Sequence, residues 1–329
     1  MSRAIVARAP TRLDFGGGWT DVAPYSEDRG SAVCNIAITR HATATVASSR
    51  PVSATPDPQS TDALVRAALR RADLPNARAA IASDFPIGAG LGGSSAAGVA
   101  LAGALAALRG AVLSAEDLAD LSCTTEREDL SVAGGFQDHY AAAIGGALLL
   151  TYDGRVSVDR LELDPGFAEA MARRIVLLYT GESRISGRTI TAVADACRAG
   201  EPRVCGALDK MKSLAVAMAD ALRAADLDTL GSLVGEHWIH QRALHPSITT
   251  PRIDAIDEAA HRAGALGVKA LGASGGGCVM AIATEGGEAE LAHALAPLGE
   301  RLLFSVDRAG FEVIAVLDDE HGVAAESHS

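Results

Sequence analysis

The chain has 329 residues, which is enough for two domains of ordinary size that each bury their own core. Its formal net charge is −12 at pH 7 and it carries no basic stripe interleaved with aromatic residues, so we expect no nucleic-acid partner. The first residues are too charged for a signal peptide, no stretch resembles a membrane span and the five cysteines lack disulfide or metal-ligand spacing, which together predict a cytoplasmic protein in a reduced compartment that contacts no membrane.

The N-terminal part of the chain is predicted to form strands around one charged, glycine-rich loop. Residues 3–9 predict a strand that ends at Pro10. The turn-rich passage after it is typical of a segment that lines a ligand, with ordinary loop solvation as the alternative, and it carries four side chains of interest: Arg12, Asp14, Trp19 and Asp21. Residues 33–47 are rich in β-branched side chains and predict one bent strand or a hairpin. Residues 60–72 have helical periodicity.

The stretch 84–108 changes abruptly from glycine to alanine at Ser94 and predicts a phosphate-binding loop that leads into a helix. We expect Ser94 or Ser95 to cap that helix, whose unpaired first-turn N–H groups and dipole suit a nucleotide's phosphates. Four glycines allow positive φ and bring backbone N–H groups close to a ligand: Gly88, Gly90, Gly92 and Gly93.

Other interpretations of this stretch fit the residues less well. Gly88, Gly90 and Gly93 satisfy the dinucleotide pattern G-x-G-x-x-G, and residues 79–83 could be its strand. Pro86 separates that strand from the loop, and no acidic residue closes a second strand about 20 positions later. Glycine and alanine dominate over larger apolar residues, which fits a buried helix better than a membrane span. A plain buried helix after a glycine turn is the remaining alternative, and the chain has no Walker A sequence.

The middle of the chain predicts a helix followed by a second glycine-marked passage. Ser114, with Asp117 three positions later, marks a helix start, and the helix runs on towards residues 126–128. The passage after Gly135 holds three polar side chains before an apolar run: Gln137, Asp138 and His139. An acid in such surroundings is suited to act as a positioned base. The alternative, equally open on this stretch alone, is that Asp138 caps the helix that follows.

The second half of the chain is predicted to be mainly helical, beyond a domain boundary near residues 164–167. The expected elements are a strand at 174–180, helices at 189–198, 204–223 and 227–244, a glycine cluster and strand within 268–283, a helix at 287–295 and two strands within 301–317. His237 and His240 share a helix but lack a third ligand, so packing or surface roles are expected. Strands and helices mix without strict alternation, which favours an α+β fold.

Three separated passages resemble, in order and spacing, the three motifs of the GHMP kinases, a superfamily that includes galactokinase, homoserine kinase, mevalonate kinase and phosphomevalonate kinase. They are PTRLDFGGGWTD at 10–21, PIGAGLGGSSAAGVA at 86–100 and GASGGGCVMA at 272–281. Within the family, DFGGGWTD, GGFQDHYAAAIGG and HWIHQR are most similar to the D-glycero-D-manno-heptose 7-phosphate kinases and their fucokinase-like relatives. The resemblance spans nearly the whole chain.

This resemblance implies a two-domain fold with ATP and sugar bound between the domains. Residues 1–165 would form an N-terminal domain similar to domain 2 of ribosomal protein S5, and residues 166–329 a ferredoxin-like C-terminal domain. Gly275 and Gly276 would close the ATP site from the second domain. The loop that wraps the ATP phosphates would consist of Gly88, Ala89, Gly90, Leu91, Gly92, Gly93, Ser94 and Ser95.

The resemblance also implies roles for single residues. Asp138 matches the catalytic base and Arg12 the cation beside it, while Ser95 and Glu126 would hold Mg²⁺. The sugar contacts would come from Asp14, Gly17, Asp21, Gln137, Arg184, Arg188 and Arg242. The three arginines are candidates to bind a phosphate already on the sugar, because guanidinium groups suit phosphate oxygens.

Three positions depart from the residues usual in the family. Gly93 replaces a serine, His139 a glutamine and Ser274 a glycine, and the change at His139 bears on which sugar is bound. The predicted function is ATP-dependent phosphorylation of a sugar at its anomeric hydroxyl, with D-glycero-D-manno-heptose 7-phosphate favoured and a monomer or homodimer expected. The alternatives are an L-fucose-type or other free-sugar 1-kinase, a mevalonate-pathway kinase, and a catalytically silent nucleotide and sugar sensor.

Overall fold

The computed structural model of the protein describes residues 3–48, 61–132, 134–182 and 187–318, and it confirms the α+β class. In these residues ten strands form two antiparallel sheets: β1 (Arg3–Gly16), β2 (Ser31–Ala47), β3 (Arg78–Ser83), β4 (Ala147–Tyr152), β5 (Val156–Leu161), β6 (Ile175–Tyr179), β7 (Ala265–Ala270), β8 (Cys278–Ala283), β9 (Glu300–Arg301) and β10 (Glu312–Asp318). The helices are α1 (Tyr25–Arg29), α2 (Thr61–Arg71), α3 (Gly93–Leu108), α4 (Ala115–Thr124), α5 (Gln137–Ile144), α6 (Pro165–Arg174), α7 (Gly187–Arg198), α8 (Pro202–Arg223), α9 (Leu227–Leu244), α10 (Pro251–Arg262) and α11 (Glu288–Leu295).

The first sheet has the strand order β10, β1, β2, β4, β5, and β3 pairs with the C-terminal half of β2. β1 continues past Pro10, so the predicted end of the strand at this residue is wrong. β10 accompanies β1 only as far as Arg8, and the pairing with β2 shifts register between Pro10 and Thr11. A residue without an N–H group is tolerated at such an irregular position. Arg12 and Asp14 therefore lie on a strand rather than in the predicted loop.

The strand predicted at 33–47 is one long strand, β2, rather than a hairpin. Helix α3 packs across β1 and β2, and its alanines and glycines allow a close approach to the sheet. Val99, Leu101 and Leu105 are fully or almost fully buried on this helix. A side chain at Gly103 would collide with the ring of Phe311. The small residues of this helix thus serve close packing inside the protein.

Two local predictions for the helices are confirmed. Helix α2 buries Leu64 and Ala68 on its expected apolar face. Ser114 caps helix α4, because its hydroxyl oxygen accepts a hydrogen bond of 3.0 Å from the Asp117 N–H. The helix then runs on into a π-helical turn, Thr125–Asp129, a local widening that often occurs at functional sites.

The second sheet has the strand order β7, β8, β6, β9. The boundary expected between residues 165 and 166 separates β1 to β5 from β6 to β9, but β10 corrects this division because it pairs with β1. Between β9 and β10 the chain runs along β2 before it pairs with β1. The Thr39 N–H donates to the Ser305 carbonyl at 2.9 Å, and the Asp307 N–H donates to the Ala37 carbonyl at 2.9 Å. The last strand therefore belongs to the first sheet.

A shared apolar core joins the two sheets. It includes Leu13 and Phe15 from β1, Leu177 from β6, Met218 from α8 and Met280 from β8. Across the described residues all five cysteines are free, and four of them are buried, as expected for core residues. No helix within the described ranges is long and apolar enough to cross a membrane.

Candidate active site

The loop before α3 has the backbone conformation that its glycines predict. Gly88, Gly90 and Gly92 have φ values of 73°, 74° and 76°, a region that glycine enters without the steric cost that a Cβ brings. Gly92 is also the N-cap of α3, and no side chain caps this end. The prediction that Ser94 or Ser95 caps the helix is therefore wrong, because a glycine in the left-handed conformation already turns the chain into it. The first-turn N–H groups of α3 stay free to bind an anion.

The two serines are used for a different contact. Ser94 Oγ lies 3.4 Å from Glu126 Oε1 and Ser95 Oγ lies 3.3 Å from Glu126 Oε2. Glu126 belongs to the π-helical turn after α4. Burial raises the pKa of the Glu126 carboxyl, but hydrogen bonds from His139, Ser95 and Ser94 outweigh it, so the net pKa is lowered. The carboxylate is therefore held ionised beside the first turn of α3.

Asp138 and Arg12 form an ion pair beside the glycine loop. Arg12 Nε donates to Asp138 Oδ1 at 2.7 Å, and Arg12 Nη1 donates to the Gly90 carbonyl at 2.7 Å. The Arg12 side chain is 4% exposed and that of Asp138 is 24% exposed. Asp138 lies in the first turn of α5, whose N-cap is Phe136. The alternative that Asp138 caps this helix is thus not realised, and its carboxylate faces Arg12 and solvent.

The acid lies directly against the loop. A Cβ added to Gly92 would lie 3.0 Å from the Asp138 carboxyl carbon. The Arg12 N–H also donates to the Leu91 carbonyl at 3.0 Å, so β1 holds the loop by its backbone as well as by its side chain. The Asp138 carboxylate, the Arg12 guanidinium group and the glycine loop before α3 therefore lie in contact with one another.

Asp21 and Gln137 form a buried polar pair next to this point. The Gln137 N–H donates to Asp21 Oδ2 at 3.1 Å, and a side chain at Gly135 would overlap the Asp21 carboxyl. Burial, together with the nearby charges of Asp138 and Asp14, raises the pKa of Asp21 to about 6. The Gln137 side-chain carbonyl is buried without a partner among the described residues. These groups suit the hydroxyls of a polar ligand, which both donate and accept.

A buried lysine from the second sheet reaches this region and was missed by the sequence analysis. Lys269 Nζ lies 2.9 Å from Asp14 Oδ2 and donates to the Asp14 carbonyl at 2.8 Å. Burial lowers the pKa of Lys269, and the charge of Asp14 opposes this shift. The signal that could have identified it is a lone lysine inside the apolar strand sequence of β7, since lysine is rarely buried without a partner.

His237 on α9 contacts the glycine-rich segment that follows β1. The Gly17 N–H donates to His237 Nε2 at 2.9 Å, and a side chain at Gly17 would overlap the Ala32 carbonyl. Burial, followed by the charge of Lys269, lowers the pKa of His237 well below its usual value. The ring is therefore neutral and accepts the hydrogen bond. His237 thus has the packing role that was expected, and it fixes the backbone at Gly17.

The second glycine cluster packs directly on the first glycine loop. The Cys278 N–H donates to the Ala89 carbonyl at 2.7 Å, and a side chain at Gly277 would lie 2.8 Å from the same carbonyl oxygen. The Gly275 N–H donates to the Ile248 carbonyl at 2.9 Å. A side chain at Gly276 would lie 2.8 Å from the Glu182 carbonyl. The segment between β7 and β8 thus supports the glycine loop before α3.

Of the three arginines predicted to bind a phosphate, the structure describes two, and it shows neither of them in contact with Asp138 or the glycine loop. Arg184 lies outside the described residues, and Arg188 is exposed at the start of α7. Arg242 faces α10 instead, where it pairs with Asp254 at 2.9 Å and Asp257 at 3.3 Å. Two carboxylates therefore already pair with its guanidinium group, and the phosphate role of Arg242 stays a prediction.

His139 has a role that its sequence position did not indicate. Its Nε2 lies 3.0 Å from Glu126 Oε2 and its Nδ1 lies 3.0 Å from Ser122 Oγ. The side chain is 3% exposed. The expectation that this position bears on sugar choice is not supported, because the ring faces Glu126 rather than Asp21.

The residues around the glycine loop before α3 fit a nucleoside triphosphate and one Mg²⁺ ion. Mg²⁺ prefers oxygen ligands and is usually held by one or two carboxylates together with phosphates and water. Glu126 supplies an ionised carboxylate, and Ser95 a hydroxyl, next to the free N–H groups of α3. Within the described part of the chain no cluster of three or more histidine, cysteine or acidic side chains could hold a metal by itself.

Comparison with known proteins agrees with this geometry. Residues 61–146 match the description "GHMP kinases N terminal domain" and residues 218–298 match "GHMP kinases C terminal". The chain is 32% identical over 197 residues to D-glycero-alpha-D-manno-heptose 7-phosphate kinase of Campylobacter jejuni, an alignment that covers 59% of this chain and 58% of that protein. The chain thus spans just over half the length of this relative.

Two other proteins are similar to this chain over a larger share of their own length. Mevalonate kinase of Thermococcus gammatolerans is 30% identical over 246 residues, covering 72% of this chain and 69% of that protein. The crystal structure of a D-glycero-D-manno-heptose 1-phosphate kinase from Bacteroides thetaiotaomicron superposes with a TM-score of 0.72 at 23% identity, covering 97% of this chain and 99% of the other. The first of these is similar in sequence, and the second shows the shared fold.

Proposed function

This chain belongs to the GHMP kinases, and from that membership we propose that it transfers the terminal phosphoryl group of ATP to a hydroxyl of a sugar. The proposed acceptor is the anomeric hydroxyl, and D-glycero-D-manno-heptose 7-phosphate is the favoured substrate. The similarity to the heptose 7-phosphate kinase of Campylobacter jejuni supports this choice. The alternative substrates are free sugars of the L-fucose type.

The observation that carries the proposal is the contact of Asp138 with both Arg12 and the glycine loop. Phosphoryl transfer depends mainly on in-line positioning and on neutralising charge. A carboxylate that lies beside Gly92 is close to the place where the terminal phosphate of a nucleotide on this loop would lie. It can then accept the proton of an attacking hydroxyl at that place.

The residues of the site divide the proposed reaction between them. Asp138 accepts the proton of the anomeric hydroxyl, which is more acidic than an ordinary alcohol. Arg12 pairs with the Asp138 carboxylate at 2.7 Å, and its positive charge stabilises the developing oxyanion. Asp21 and Gln137 orient the sugar hydroxyls. Glu126 and Ser95 would hold Mg²⁺, which supplies charge neutralisation on the phosphates when it is bound.

The substrate is tested by measuring ADP release with Mg-ATP across a panel of acceptors. The panel contains D-glycero-D-manno-heptose 7-phosphate, sedoheptulose 7-phosphate, mannose, L-fucose, galactose and mevalonate, and phosphorus NMR identifies the position of the new phosphate. Selective turnover of the heptose phosphate to a 1,7-bisphosphate is the expected result. Turnover of a free sugar alone would reject the heptose phosphate, and no turnover of any acceptor would favour a silent sensor.

The base is tested by Asp138→Asn. The variant should fold and bind ATP, because asparagine has the same shape, and kcat should fall by about 10²- to 10⁴-fold, the usual contribution of a general base. Asp153→Asn is the control, since Asp153 is exposed in the turn between β4 and β5. Turnover of Asp138→Asn within a few-fold of the wild type would remove Asp138 from the mechanism.

A further inference from the structure

His139 connects the carboxylate of Glu126 to the helix that precedes it. The ring lies between Glu126 Oε2 and Ser122 Oγ, at 3.0 Å from each. Ser122 and Glu126 are four residues apart, so they lie one helical turn from each other on α4 and its π-helical extension. We infer that His139 is a positioning residue that fixes the Glu126 carboxylate for the Mg²⁺-nucleotide, an inference that rests on the proposed function.

The direction of the two hydrogen bonds follows from the chemistry of the partners. An ionised carboxylate only accepts hydrogen bonds, so His139 Nε2 carries the proton and donates to Glu126 Oε2. The other nitrogen, Nδ1, then accepts from the Ser122 hydroxyl, which can rotate to donate. The serine thereby selects the tautomer in which Nε2 points its proton at Glu126.

The surroundings leave little freedom for this arrangement. Ser122 is 2% exposed and His139 is 2% exposed. A Cβ added to Gly98 of α3 would lie 2.5 Å from Ser122 Oγ, so the missing side chain at Gly98 makes the space that the hydroxyl occupies. Residues of three helices therefore surround the Ser122 and His139 pair, and both ring nitrogens have a partner.

The histidine contact is the shortest that Glu126 makes with a side chain in the described structure. The serine hydroxyls lie farther away, at 3.3 and 3.4 Å, and in the proposed function Ser95 turns towards the metal. The Glu126 carboxylate would then keep two of these side-chain contacts, of which His139 at 3.0 Å is shorter than Ser94 at 3.4 Å. Partners of this kind, which orient a metal ligand without touching the metal, typically change metal affinity by about 10- to 100-fold when they are removed.

A ring suits this position better than the glutamine that is usual in the family. An amide at residue 139 can donate to Glu126, but the imidazole presents nitrogens on two sides and so reaches Glu126 and Ser122 together. His139 also follows Asp138 directly in the first turn of α5. One turn of helix thus carries the proposed base and the group that orients the proposed metal ligand.

The test measures metal binding as well as activity. Mn²⁺ bound in the presence of ADP is quantified by electron paramagnetic resonance for the wild type, His139→Leu, His139→Gln, Ser122→Ala and Glu126→Ala. His139→Leu should weaken Mn²⁺ binding by about 10-fold or more, His139→Gln should restore most of it, and Ser122→Ala should shift it by less in the same direction. His293→Leu, at an exposed position of α11, is the control and should leave binding unchanged.

The set of variants separates the inference from the proposed function. Weak binding in both Glu126→Ala and His139→Leu, with recovery in His139→Gln, supports the inference. A loss in Glu126→Ala without one in His139→Leu overturns the positioning role and keeps Glu126 as the ligand. Unchanged binding in both overturns the metal assignment and the inference together, while sugar turnover by the wild type still tests the proposed kinase activity. Where His139→Leu does not fold, unchanged binding in Ser122→Ala overturns the inference.

Discussion

Among single residues, Asp21 is a buried carboxyl with two other acidic side chains nearby. Its pKa is raised to about 6 from 3.8, first by burial and then by Asp138 and Asp14. The folded protein therefore holds this proton more tightly than the unfolded chain does. The stabilisation that comes from the protonated form is complete below pH 3.8 and is lost as the pH rises through about 6. A rise of this size in the pKa corresponds to a change of ~3 kcal/mol in the free energy of unfolding.

Asp21→Asn removes this titration and should stabilise the protein at neutral pH. Relative to the wild type, its free energy of unfolding should rise between pH 4 and 7 by up to ~3 kcal/mol, since asparagine stays neutral throughout. Urea unfolding at several pH values measures the difference, and Asp153→Asn controls for a general charge effect. A difference between wild type and variant that is constant with pH would contradict the prediction.

For the helices and loops, the start of α3 is fitted closely to the segment that precedes the glycine loop. A side chain at Gly93 would collide with the ring of Phe85. The serine that is usual in the family therefore does not fit here unless the ring moves. This chain has glycine at residue 93 instead of serine, and the Phe85 ring fills the space that the serine side chain would take.

Gly93→Ser should lower the free energy of unfolding by about 1–3 kcal/mol, the usual cost of overpacking. The same change made in a Phe85→Ala background should cost less, because the ring is gone. Gly206→Ser in α8, where a new side chain meets open space, is the control. Equal costs of Gly93→Ser in the two backgrounds would show that Phe85 is not the obstacle.

The sequence predicts those elements best whose signals are local. The cap of α4 at Ser114 and the apolar face of α2 depend on residues within one or two helical turns, and both were predicted correctly. The end of β1 at Pro10 was not, because a proline signal is overridden by pairing with β2. Pairing partners lie far away in the chain, and no local pattern identifies them.

The same distinction applies to the candidate site. The motifs identified Arg12, Asp138 and the glycine loop, and the structure brings these together. The contacts of Lys269 and His139 could not be predicted, because their partners are set by how the helices and sheets pack. The prediction that Ser94 or Ser95 caps α3 is wrong for a more local reason, because Gly92 occupies the N-cap position.

For the whole molecule, the buried pair of Lys269 and Asp14 links the two sheets. Lys269 is 0% exposed and lies on β7, while Asp14 is 2% exposed and lies on β1. Removing one member of a buried ion pair leaves an uncompensated charge and typically costs about 3–5 kcal/mol. The pair is therefore a buried electrostatic contact between the two sheets.

Lys269→Met should accordingly destabilise the protein by about 3–5 kcal/mol, and the double variant Asp14→Asn with Lys269→Met should recover part of this loss. Chemical unfolding of the two variants measures the effect. Lys210→Met, at an exposed position of α8, should stay within about 0.5 kcal/mol of the wild type. A Lys269→Met variant as stable as Lys210→Met would mean that the pair contributes no net stability.

The return of β10 to the first sheet has a consequence for how the protein is made. Arg8 and its partner Glu312 are separated by 304 positions, and a ribosome that adds about 5–20 residues per second needs roughly 15–60 s to synthesise that stretch. During this time β1 has emerged while its outer neighbour does not yet exist. An open strand edge can pair with another chain, so the outer edge of β1 stays available for wrong pairing until residues 312–318 arrive.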